Sequence, residues 1–172
     1  MSQPVLVTYA TKHGATMGIA TAIADVLRRA GLDVEIHPVD EVKDPSGYAA
    51  VVFGSAVYIG QWRKEAISFL ETHAETLAQR PVWMFSSGPT GEGDPVELLK
   101  GVVIPENVRL LADRIHPRQI TVFHGELDPG ALGLGERLII RGVKAPTGDF
   151  RDWESITEWA TSIAEALSPE PE

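Results

Sequence analysis

Five apolar runs, at residues 4–9, 33–39, 50–55, 81–86 and 119–124, alternate along this chain with segments patterned for helices. Most runs are continuous, as in Val5-Leu-Val7 and Val51-Val-Phe53, rather than alternating polar with apolar. A strand reads this way when helices cover both of its faces, as in a parallel sheet. Between the runs, apolar residues recur at helical spacing. Ala20, Ile23, Ala24 and Leu27 form one stripe, which Gly31 ends. Ala66, Ile67, Leu70 and Leu77 mark a second helix over residues 62–79, and a third runs over 105–115 with Pro105 at its start. A last helix over 153–167 carries Ile156, Trp159, Ile163 and Leu167. Residues 40–48 hold a short irregular helix interrupted by Pro45. Strands alternating with helices require right-handed crossovers, hence an α/β three-layer sandwich. The expected sheet has five parallel strands in the order 2-1-3-4-5, with a ligand crevice at the carboxyl ends of strands one and three.

The 172 residues suit one domain spanning 1–172. Residues 125–152 exceed what a five-strand fold needs, so they read as a long insertion after strand five. Its length marks it as either functional or disordered, and its own apolar patch (Leu138, Ile139, Ile140, Val143) predicts partial order. The tail at 168–172 is expected to fray.

A formal net charge of −9 argues against a nucleic-acid partner, because phosphate neutralisation needs a basic face. The chain has no cysteine, which excludes disulfides, thiolate nucleophiles and Cys-ligated clusters. No apolar run approaches the roughly 20 residues that cross a bilayer, and no basic region precedes an apolar one at the start. The expectation is a cytoplasmic protein, peripheral to a membrane at most.

The turn after the first run reads Thr8-Tyr-Ala-Thr-Lys-His-Gly-Ala-Thr16. A strand that empties into a hydroxyl- and glycine-rich turn before a helix is suited to an anion. Amides at a helix start are unpaired, and the helix dipole favours negative charge there. Thr11, Lys12, His13, Gly14, Ala15 and Thr16 are the candidate contacts, with Gly14 admitting close backbone approach. An ordinary turn with a capping threonine fits these residues equally well.

Two further loops converge on the same crevice. The one after strand three, Gly54-Ser-Ala-Val-Tyr-Ile-Gly-Gln-Trp62, supplies Ala56, Val57, Tyr58, Ile59, Gly60 and Trp62. Tyr58 is the first choice for stacking on a ring. Trp62 is the second choice, or else a buried anchor where the helix starts. The loop after strand four, Ser86-Ser-Gly-Pro-Thr90, has little bulk, so Ser86, Ser87, Gly88, Pro89 and Thr90 offer mainly backbone groups to a ring edge. A planar, anionic heteroaromatic ligand suits all three loops together, and flavin mononucleotide (FMN) is such a ligand.

Taken in order, Thr-x-x-Thr-x-x-Gly-x-Thr, Gly-Ser-x-x-Tyr-x-Gly and Ser-Ser-Gly-Pro resemble the flavodoxin superfamily. The likeness is closest to its branch of menaquinone-dependent protoporphyrinogen IX dehydrogenases. Residues 9–16 resemble that branch's phosphate loop; residues 122–128, 137–140 and 147–153 resemble its long insertion and final helix entry. The resemblance implies an FMN-dependent oxidoreductase that oxidises protoporphyrinogen IX with a quinone acceptor, as in heme biosynthesis. It also implies that Gly60 lets a peptide turn toward flavin N5. The chain departs from common flavodoxins at His13, which replaces a hydroxyl in the phosphate loop, and in lacking an aromatic in the loop after strand four. The insertion carries Arg137, Arg141 and Lys144 in an otherwise acidic chain. An alternative reading is a flavodoxin-type one-electron carrier with a protein partner.

No catalytic acid or base and no metal-type spacing stand out. His37, His73 and His116 read as surface or capping residues, and His124 as a proton donor to test. Trp83, Trp153 and Trp159 read as core. A receiver-type module is rejected, since Tyr9 and Ala10 stand where it needs acids. A dinucleotide or Walker-type site is rejected for want of its glycine pattern.

Overall fold

A computed structural model describes residues 3–11, 14–58, 61–88, 104–127, 134, 138 and 148–168. In chain order the elements are β1 (Val5–Ala10), α1 (Ala15–Arg29), β2 (Val34–Pro38), β3 (Ala50–Tyr58), β4 (Gln61–Trp62) and α2 (Lys64–Ala78). They continue with β5 (Val82–Ser87), α3 (Glu106–Ile115), β6 (Gln119–Phe123), β7 (Glu126–Leu127), β8 (Gly148–Asp149) and α4 (Trp153–Leu167). The main sheet runs β2-β1-β3-β5-β6, all parallel, and β4 turns back antiparallel on the end of β3.

Strand periodicity sorts the core into two layers. Val5, Val7 and Tyr9 of β1, Ala50 and Val52 of β3, and Trp83 and Phe85 of β5 point toward α1 and α4. The intervening Leu6, Val51, Phe53, Val82 and Met84 point toward α2 and α3. Successive side chains of a strand face opposite sides, so a continuous apolar run serves both layers at once. The expected stripe of α1, Ala20, Ile23, Ala24 and Leu27, is fully buried. Each large aliphatic side chain so buried stabilises the fold by roughly 1.5–3 kcal/mol before the entropy of ordering it is counted. Gly31 ends the helix at φ 94°, a left-handed conformation that glycine adopts without strain.

The structure corrects several local expectations. β3 extends to Tyr58 because β4 pairs with its end, so α2 starts at Lys64 rather than at Trp62. Pro105 stands at the N-cap of α3, outside the helix proper. Pro45 opens a 3-10 turn rather than interrupting a helix, and Asp44 caps that turn by accepting from the Ser46 N–H at 2.9 Å. Trp153 is not core: it is 44% exposed at the first position of α4, beneath the Arg151 guanidinium. Trp83 is buried, and Trp159 packs edge-on against Phe85 and Phe123 while donating to Gln119 Oε1 at 3.0 Å. His116 caps α3 in a left-handed conformation at φ 56°.

The two ends of the expected insertion are joined by a small ladder in which Glu126 faces Asp149 and Leu127 faces Gly148. Between them only Leu134 and Leu138 are described, and both are exposed. The remainder of residues 128–147, and residues 169–172 of the tail, lie outside the described residues.

Candidate functional site

The parallel register brings the carboxyl ends of β1, β3 and β5 side by side: Ala10 pairs with Ser55, and Ala56 with Ser87. The turn after β1 is built around Gly14, which caps α1 at φ 90°. Its N–H donates to Thr11 Oγ1 at 3.0 Å, so Thr11 folds the turn upon itself. A Cβ on Gly14 would meet nothing within 4 Å; the position favours glycine for its dihedral angle, not for space.

Among the described residues no side chain caps the start of α1, and its first turn holds no acid. The positive end of the helix therefore has no acid in its own first turn, whereas Arg28 and Arg29 complement its negative end. Thr16, in that first turn, is fully buried, and its Oγ1 has no hydrogen-bond partner among the described residues. Burying an unsatisfied hydroxyl costs about 1–3 kcal/mol. The Tyr9 phenol of β1 is pushed up from its ordinary pKa, first by burial and then by Glu41 and Asp40. An orphaned donor beside uncapped helix amides fits a phosphoryl group.

The end of β3 is stiffened from two sides. The Ser55 hydroxyl donates to the Ala56 carbonyl at 2.9 Å and accepts from the Arg63 N–H at 3.2 Å. On the outer edge, the Asn107 carboxamide of α3 accepts from the Trp62 N–H at 3.4 Å and donates to the Trp62 carbonyl at 3.3 Å. The Trp62 side chain takes the buried one of the two roles the sequence left open. It is 3% exposed, its ring packs against Phe53, and its Nε1–H donates to Ser86 Oγ. With the indole turned into the core, Trp62 is the anchor and not a stacking face.

Ser86 and Ser87 end β5 in buried positions, and the Gly88 N–H donates to the Phe123 carbonyl at 3.3 Å. A Cβ on Gly88 would press on Val57 at 3.1 Å, and one on Gly125 would lie 3.2 Å from the Gly88 backbone. Bare backbone thus packs on backbone where β3, β5 and β6 end. His124, at the end of β6, is buried, with its ring 6.5 Å from that of Phe150.

Of the expected contacts, Thr11, Gly14, Ala15, Thr16, Ala56, Val57, Tyr58, Ser86, Ser87 and Gly88 belong to these three adjoining strand ends. Lys12, His13, Ile59, Gly60, Pro89 and Thr90 lie outside the described residues. The sequence reading missed Asn107, Ser55, Gly125 and Arg151, all of which act on backbone. Ser55, inside the Gly-Ser-x-x-Tyr-x-Gly motif, and Gly125, beside His124, carried a local signal.

A family model of the flavodoxin domain matches residues 6–154. The chain belongs to the flavodoxin domain family. The protoporphyrinogen IX dehydrogenase (quinone) of Escherichia coli K12 is 22% identical to this flavodoxin domain over 170 residues, covering 92% of this chain and 93% of that protein. Among solved structures, oxidised flavodoxin 2 of Bacillus cereus matches with a TM-score of 0.61 at 20% identity, covering 95% of this chain and 99% of that one. The rubredoxin oxygen:oxidoreductase of Desulfovibrio gigas matches with a TM-score of 0.60 at 15% identity, covering 96% of this chain and 37% of that longer chain. At these identities the solved structures share the fold. As a flavodoxin domain, the chain is a redox protein of the flavin-binding type. Among the described residues, no helix is long and apolar enough to cross a membrane.

Proposed function

We propose that residues 1–172 form one FMN-binding domain and act as an FMN-dependent oxidoreductase. The observation that carries this reading is the buried Thr16 Oγ1, without a hydrogen-bond partner among the described residues, at the start of α1. The phosphate would take that hydroxyl together with the amides that follow Gly14. Tyr58 would stack on the ring, and the backbone around Ser87 and Gly88 would meet its edge. Bound there, the flavin would supply the two-electron redox chemistry. The protein's share is to bind, orient and exclude water. Calorimetry with FMN and an absorption spectrum of the reconstituted protein test the site. No binding heat, with no bound flavin bands, would end the proposal.

For substrate, the proposal is protoporphyrinogen IX as donor and a quinone as acceptor, supported by the Escherichia coli relative that this chain matches over nearly its whole length. Flavin-loaded protein, mixed anaerobically with protoporphyrinogen and a menaquinone analogue, should turn over faster than free FMN. A rate no faster than free FMN refutes this substrate while leaving FMN binding intact.

The net charge of −9 favours a second reading, a one-electron carrier steered to a basic protein partner. It predicts a distinct plateau after one electron in a reductive titration. Direct passage to the two-electron end point counts against it.

A further inference from the structure

Arg151 reaches across the fold to the helix that opens the phosphate turn. Its Nη1 lies 3.5 Å from the carbonyl oxygen of Ala15, 136 residues earlier in the chain. Its guanidinium also forms a bidentate pair with Asp149, Nε to Oδ1 at 2.9 Å and Nη2 to Oδ2 at 2.7 Å. Nη2 is 3.0 Å from Glu126 Oε2 as well. Because Glu126 and Asp149 face each other in the β7–β8 ladder, one guanidinium closes that rung from both strands. Trp153 floors it, with Cζ 4.7 Å above the indole centroid, and the side chain is only 15% exposed.

The electrostatics agree with a fixed guanidinium. Hydrogen bonds from Arg151 hold the Asp149 carboxyl below its ordinary range, and Asp149 in turn raises Arg151. A fork-shaped donor set holding two carboxylates and a carbonyl is something a lysine cannot reproduce. The helix also yields to it. A Cβ at Gly18 would stand 2.6 Å from Arg151 Nη1 and 3.8 Å from Trp153 Cη2. Glycine inside a helix costs roughly 0.5–1 kcal/mol relative to alanine. α1 bears that cost one turn after Gly14, on the face against which Arg151 lies.

We propose that Arg151 is a positioning residue for the phosphate site: it bolts the first turn of α1 to the β7–β8 ladder and thereby sets how the Ala15–Thr16 amides are presented. The proposal rests on the FMN reading and adds to it the device that aims the helix start. Arg151 acts through Ala15 and Gly18.

Comparing FMN with riboflavin, which lacks the phosphate, tests it. Fluorescence titration of the full chain should show Arg151→Ala weakening FMN about tenfold, or about 1.4 kcal/mol. Riboflavin affinity should stay within about twofold of wild type, and Arg151→Lys should fall between. Gly18→Ala, whose methyl displaces the guanidinium, should give the same FMN-selective loss even though alanine favours the helix. It therefore serves where Arg151→Ala folds poorly. Equal losses for both ligands, or no loss for either, overturn the proposal. Wild-type protein that binds FMN no more tightly than riboflavin overturns the phosphate site itself, and this proposal with it.

Discussion

The indole Nε1–H of Trp62 donates to the hydroxyl of Ser86 at 2.8 Å, with both groups buried. That bond ties the β3–β4 hairpin to the end of β5, so two of the segments proposed to hold the ring are fixed to each other by buried side chains. Asn107 grips the same hairpin from α3 through the Trp62 backbone. An aromatic that sequence alone would allow to stack is thereby a structural pin.

Replacing Trp62 by Phe keeps most of the apolar contact but leaves Ser86 Oγ without its donor. The expected cost is about 1–3 kcal/mol in denaturant unfolding. FMN stoichiometry should be unchanged. Tyr58→Ala should do the reverse, leaving stability nearly intact while weakening FMN about tenfold through lost stacking. A Trp62→Phe variant that loses FMN selectively would restore Trp62 as the stacking face.

Thr16→Val removes the orphaned hydroxyl without changing shape. In the absence of flavin the variant should be more stable by about 1 kcal/mol, because a buried unsatisfied group is gone. FMN affinity should fall, by about tenfold, since a hydrogen bond to a charged phosphate goes with it. These opposite signs, read by thermal unfolding and by titration, distinguish a binding threonine from a packing one.

Gly54 sits under Phe85, and a Cβ there would run into that ring. Gly54→Ala should cost about 1–3 kcal/mol by overpacking. Pairing it with Phe85→Leu should recover part of the loss, and a double-mutant cycle measures the coupling. Purely additive losses would contradict the contact.

Asp152 caps α4, its Oδ1 accepting from the Ser155 N–H at 3.2 Å and its Oδ2 from the Ser155 hydroxyl at 2.8 Å. Those bonds hold its carboxyl below the ordinary carboxylate range. The folded pKa is lower than the unfolded one, so the stabilisation is complete above about pH 4 and is lost as pH falls through the lowered value. Asp152→Ala should cost about 1 kcal/mol at neutral pH, and the difference from wild type should vanish in strong acid. A difference that persists there would rule out the ionised cap.

Much of this molecule was legible in its residues. Continuous apolar runs announced strands covered on both faces, and the stripe Ala20–Ile23–Ala24–Leu27 announced the helix that covers them. Both are patterns of neighbours in sequence, and backbone geometry converts such patterns directly into faces. The glycine turn before α1 was legible for the same reason, since Thr11, Gly14 and Thr16 lie close together in the chain.

Tertiary structure alone decided what each group's distant partner is. Tyr58 and Trp62 stand four residues apart in one hairpin, and only the partners of Trp62, Phe53 on β3 and Ser86 brought in by β5, make it core. Nothing near Arg151 in sequence points to Ala15, and nothing near Gly54 points to Phe85. Composition and periodicity act along the chain and determine the layers. Which polar atom is satisfied, and which is left without a partner among the described residues as Thr16 Oγ1 is, depends on long-range packing that no local pattern encodes.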